Sequence, residues 1–88
     1  MTVYPKEALD TALEKCVSHV PLAEVLDFVM DLLIIRAQDI ATHVGVPKER
    51  VRRWRLGVSV PEAGMDAKVR EYLWAKITAA IPRPNALQ

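Results

Sequence analysis

Apolar side chains recur through residues 5–20 at spacings of three, four and one: Ala8, Leu9, Ala12, Leu13, Cys16, Val17 and Val20. That period gathers them on one side of a helix. Pro5 suits the first turn, where a missing N–H has no partner to lose, and Glu7 and Asp10 face the positive end of the helix dipole. Pro21 repeats the start signal. After it Leu22, Val25, Leu26, Val29, Leu32 and Leu33 form a second stripe, widened by Phe28, Met30 and Ile34 until Glu24, Asp27 and Asp31 are almost the whole polar face. A helix so apolar all round is buried, most simply inside its own fold, otherwise partly against another subunit.

Residues 37–44 carry Ile40, Ala41 and Val44 and end at Gly45, a residue suited to a turn with positive φ. Pro47 opens the next helix, over residues 47–56, with Val51 and Trp54 on one face and Gly57 closing it. After a loop at residues 58–61, residues 66–81 place Val69, Leu73, Ile77 and Ala80 on one stripe, with Tyr72, Trp74 and Ile81 beside it, and Pro82 ends the run. No segment alternates as a strand does. The pattern predicts an all-α, compact five-helix domain over residues 1–81, followed by a flexible tail at 82–88.

At 88 residues and 51% hydrophobic content, the chain can bury one core and is too short for two. Its longest apolar run, residues 32–35, is far below the roughly 20 residues that cross a bilayer, and the N-terminus lacks a signal-peptide pattern. A soluble, cytoplasmic protein with no membrane partner is expected. Cys16 is the only cysteine and lies on an apolar helix face, so it reads as a small core residue. His19 and His43 have no partners at ligand spacing, so no metal is expected. There is no nucleophile with a base, no paired carboxylates and no glycine-rich phosphate loop, so neither catalytic residues nor a cofactor are expected.

Charge changes the picture more by its distribution than by its total of +1. Residues 1–36 sum to −3 and residues 37–88 to +4, and between Lys48 and Arg55 five basic residues accompany one acidic. Such a density can follow a line of phosphates, although a basic helix is often just a solvated face.

The basic run continues a patterned window, Ile40-Ala41-Thr42-His43-Val44-Gly45-Val46-Pro47-Lys48-Glu49-Arg50-Val51-Arg52-Arg53-Trp54. Ala41 is small where a second helix crosses close, Gly45 makes the turn and Val46 plugs the core. Ile40, Val51 and Trp54 pack the two helices at a steep angle. This window resembles the Cro and lambda-repressor-like helix-turn-helix proteins. Ile35 matches the apolar residue before the first motif helix, and Trp54-Arg55-Leu56-Gly57 with Pro61 is similar to the run after the reading helix. Phage regulators of the lambda activator type share a related glycine-valine turn, arginine-tryptophan pair and proline. Arg36 and Pro47 stand where the family usually has hydroxyl caps. The resemblance implies a helix-turn-helix at about residues 37–56 that reads duplex DNA with residues 47–56.

With Val51 and Trp54 inward, a turn of about 100° per residue sends Glu49, Arg52 and Arg53 outward, with Lys48 and Arg55 on one flank and Arg50 on the other. Arg52 and Arg53 are expected to reach base edges, with Lys48 and Glu49 beside them. Arg50, Arg55 and Gln38 are expected to hold phosphates, as Lys48 would at the helix start. Glu49 would accept from a cytosine amine or pair with Arg53 at i,i+4. Trp54 belongs to the helix-packing face, and Trp74 to the core or to a dimer surface.

A reading helix of this size meets only a few base pairs, so a homodimer on a palindromic site is expected. The first, second and last helices offer the apolar surface for it. A compact repressor with no small-molecule ligand, near the nucleoid, is the function this implies. The alternatives are a protein-interaction module and an architectural, excisionase-like subunit of a DNA-processing machine, both on the same scaffold.

Overall fold

The computed structural model describes residues 6–81. Pro5 and the tail at 82–88 lie outside the described residues. Five helices follow one another: α1 (Lys6–Val17), α2 (Leu22–Leu33), α3 (Ala37–Val44), α4 (Lys48–Leu56) and α5 (Ala63–Ala80). No strand occurs among the described residues, and none of their helices is long and apolar enough to cross a membrane. The five-helix, all-α expectation holds.

α2 is the hub. It packs against α1, α4 and α5 at once, and Leu22, Val25, Leu26, Val29 and Met30 are buried along it. Its nearly all-round apolar character is therefore used within its own fold. Leu9, Ala12 and Cys16 of α1 and Val69, Leu73 and Ile77 of α5 close over it, and no charged or polar residue among those described is buried. Burial raises the Cys16 thiol above its usual pKa, with Arg70 pulling the other way, so the thiol stays protonated and inert.

Several boundaries differ from the sequence expectation for local reasons. α1 stops at Val17, which is exposed, and Val20 lies in the connecting loop, half-buried. α5 begins at Ala63, three residues before the expected Asp66, in a first turn that carries no apolar period. Asp66 N–H donates to the Glu62 carbonyl at 2.9 Å there. Ile81 precedes proline and leaves the helix at φ −78°, ψ 125°.

Ile34 does not widen the α2 stripe. It caps the helix in the left-handed region at φ 56°, ψ 50° and is 79% exposed. The N–H groups of Ile34 and Ile35 both return to the Met30 carbonyl, so the chain is forced into a left-handed end with a β-branched residue where glycine is usual.

The polar ties are few. Arg70 on α5 donates from Nε to Asp66 at 2.6 Å and from Nη2 to the Val20 carbonyl at 2.7 Å, with a longer 3.5 Å contact to the Lys15 carbonyl. It fastens the last helix to the α1–α2 connection. Lys15 bridges to Glu24 at 2.6 Å and lies 5.4 Å above the Phe28 ring.

Arg70→Met should lower stability by about 2 kcal/mol in urea unfolding, since it removes charge-assisted bonds to partly buried acceptors. Ile34→Gly should raise stability by about 1 kcal/mol, because relief of the left-handed strain outweighs an exposed side chain that packs little.

Candidate nucleic-acid interface

α3 and α4 meet through a three-residue turn, Gly45, Val46 and Pro47. Gly45 sits at φ 78°, and its N–H and that of Val46 both reach the Ala41 carbonyl, at 2.8 and 3.0 Å. A Cβ on Gly45 would meet nothing within 4 Å, so the dihedral, not crowding, calls for glycine. Pro47 is the N-cap residue in an extended conformation, one position before the helix it was expected to open; its carbonyl accepts from Arg50 N–H at 3.0 Å. Gly57 at φ 76° ends α4, with Val58 N–H on the Arg53 carbonyl at 3.0 Å.

Ile40 and Ala41 of α3 and Val51 and Trp54 of α4 are all buried, and Val46 packs half-buried against the same core. The inner face of α4 is thus spent on packing against α3 and α2. Lys48, Glu49, Arg50, Arg52 and Arg53 are consequently exposed, and Arg55 is half-buried. Lys48, Arg50 and Arg53 carry no ion pair among the described residues.

The remaining charges are held. Arg52 Nη1 binds Glu49 Oε2 at 3.1 Å, so the carboxylate pairs at i,i+3 with Arg52 and not with Arg53 as the i,i+4 spacing had suggested. Arg55 Nε binds Asp27 Oδ1 of α2 at 3.2 Å, which fixes the direction of a side chain that spacing alone left free. Gln38, in the first turn of α3, donates to Thr42 Oγ1 at 2.9 Å and keeps one amide proton free.

No protein-family model, curated protein or solved structure matches the chain. The chemistry of the surface therefore rests on its own residues.

Arg36 is the residue that sequence reasoning missed as part of this surface. It stands, as its place in the sequence implied, at the N-cap of α3, with α2 already closed at Leu33. Asp39 Oδ2 accepts from the Arg36 backbone N–H at 3.0 Å, while Asp39 Oδ1 accepts from Arg36 Nη2 at 3.1 Å. The carboxylate thus supplies the reciprocal half of a capping box, satisfying the Arg36 N–H, while the Asp39 N–H that a cap hydroxyl would take goes to the Arg36 carbonyl at 3.0 Å. These hydrogen bonds from Arg36 hold the Asp39 carboxyl below its usual pKa. The signal was an acidic residue three positions after the cap.

On the same face of α3 as Asp39, His43 is exposed with its ring 4.5 Å from that of Tyr72, and Lys76 stands 5.5 Å above the same ring. Trp74 is 45% exposed and is not a core residue.

Asp39→Asn should lower the thermal midpoint at pH 7. A carboxyl whose pKa is depressed by folding stabilises above its unfolded value, about 4, and loses that contribution as pH falls through the depressed one. The gap between variant and wild type should therefore close as melts are taken into acid; a gap independent of pH would rule out the charged interaction.

Proposed function

We propose that the chain is a sequence-specific duplex-DNA-binding regulator that uses α3 and α4 as a helix-turn-helix and inserts α4 in the major groove. The observation that carries the reading is the division of α4 into a buried pair, Val51 and Trp54, and an outward run of cations. Nothing in the core needs those cations. A helix whose basic face is left over after packing is what phosphate-lined grooves accept. The glycine turn and the small Ala41 under the crossing agree with the resemblance to Cro and lambda-repressor-like proteins.

Within that reading, Lys48, Glu49, Arg52 and Arg53 face base edges. A guanidinium pairs with guanine O6 and N7 through two hydrogen bonds, so a well-placed arginine contributes about 1–3 kcal/mol of discrimination. Gln38, Arg50 and Arg55 hold the backbone, with Asp27 setting the reach of Arg55. The Arg52–Glu49 pair presents one donor edge and one acceptor edge side by side, a combination suited to adjacent bases of a G·C pair.

The nine residues of α4 span about 13 Å, enough for only part of one groove. Specific control of a promoter then calls for a homodimer on a palindrome, and occupancy of that site by the five-helix domain is repression in its simplest form.

Gel-shift titration against a panel of genomic fragments is the first test, since an interaction module would leave all of them unshifted. On a bound fragment, Arg53→Ala should flatten the difference between preferred and unrelated sequences by roughly 5- to 150-fold. Arg50→Ala should weaken every sequence alike and reduce the salt dependence. Equal effects of the two substitutions would refute the assignment of roles.

A further inference from the structure

A hollow of about 560 Å³ lies where the end of α2, the start of α3 and the outer face of α4 meet. Arg36, Arg52 and Arg55 all line it, over an apolar floor that includes Met30 and Ile35, and Asp31 is the only acidic residue on its wall. The carboxylates that hold these arginines stand elsewhere. Asp39, Glu49 and Asp27 each grip one guanidinium, and none of the three lines the hollow.

The grips leave donors free. Arg36 spends Nε and Nη2 on Asp39, Arg52 spends Nη1 on Glu49, and Arg55 spends Nε on Asp27. Each guanidinium keeps N–H groups unspent, and its plane is fixed from outside the cavity. Three arginines from three places in the chain, each braced by a carboxylate outside the cavity, turn unspent N–H groups toward one hollow; with Asp31 the carboxylates offset their charge, so what the hollow offers an anion is directed hydrogen-bond donors.

We infer that this hollow is a seat for one phosphodiester of the DNA backbone, held by Arg36 and Arg55 with Arg52 at its rim. The inference rests on the DNA-binding reading above and deepens it by adding Arg36, a residue that lies outside both motif helices. Guanidinium forks match the paired oxygens of a phosphodiester. The seat sits at the foot of α4, so a strand gripped there would set how far along the groove Arg53 and Lys48 reach. Position is what a backbone contact supplies; it carries no preference for sequence.

The test is the affinity of the full chain for short mixed-sequence duplexes between about 50 and 200 mM salt, compared among wild type, Arg36→Gln, Arg36→Lys, Arg55→Gln and Lys68→Gln. Arg36 is highly exposed, so its replacement leaves the core intact, which the thermal midpoint of each variant verifies. Loss of one phosphate contact reduces the slope of log affinity on log salt by about 0.9, so wild type loses about 3-fold more affinity than Arg36→Gln across that range. Arg55→Gln should do the same, Arg36→Lys should keep most of the slope, and Lys68→Gln, outside the hollow, should keep all of it. Wild-type slopes in Arg36→Gln and Arg55→Gln would overturn the seat and leave the DNA-binding reading standing. A changed ranking of sequences in Arg36→Gln would overturn it too, by assigning that arginine to bases. A wild type that binds no duplex would remove both.

Discussion

Burial of Val51 and Trp54 fixes the orientation of α4, and nearly everything about the exposed surface follows from it. The two side chains are three residues apart and leave the helix on nearly the same side, so once they enter the core the rotation of α4 about its axis is set. Replacing either with a polar residue would leave an unpaired group in an interior that has none. A rotation that exposed them would put arginines in their place, at a far larger desolvation cost. The cations are outside because there is no tolerable alternative. Their function is a second matter, decided by what they meet.

That orientation is reinforced from both ends. Gly45 and Gly57 in left-handed conformations reverse the chain before and after α4. On the outer flank, Asp27 ties Arg55 to α2. Such an exposed pair adds little stability, but it gives the cation one direction, and direction is what a contact with a ligand needs. Ile34 shows the opposite economy. An exposed β-branched residue is held in a strained left-handed conformation at the edge of the arginine-lined hollow.

The helices and the buried face were legible in the sequence because they rest on period and punctuation. Ile40, Ala41, Gly45, Val46, Val51 and Trp54 stand where their spacing placed them, since local geometry alone fixes a helix face and a glycine turn. The arrangement of charges was not legible. Whether Glu49 reaches Arg52 or Arg53 depends on side-chain rotamers, and the Arg55–Asp27 contact joins residues 28 positions apart in the chain. Arg36 stands at the cap position where the sequence put it, but its pairing was not legible, because a cap is usually recognised by its own side chain, whereas here the acceptor belongs to Asp39. The early start of α5 escaped for a related reason: Ala63 and Gly64 are exposed, so no apolar repeat marks them.

The central claim is that the face of α4 opposite Val51 and Trp54, together with the start of α3, is where duplex DNA lies. Backbone amide shifts in a ¹H–¹⁵N NMR titration of the full chain with duplex DNA test it residue by residue. The expected result is a contiguous set of perturbed amides from Arg36 to Gln38 and from Lys48 to Arg53, with Val69, Leu73 and Ile77 of α5 unmoved. Perturbations confined to α1 and α5, or none at DNA concentrations that saturate a basic protein, would contradict it.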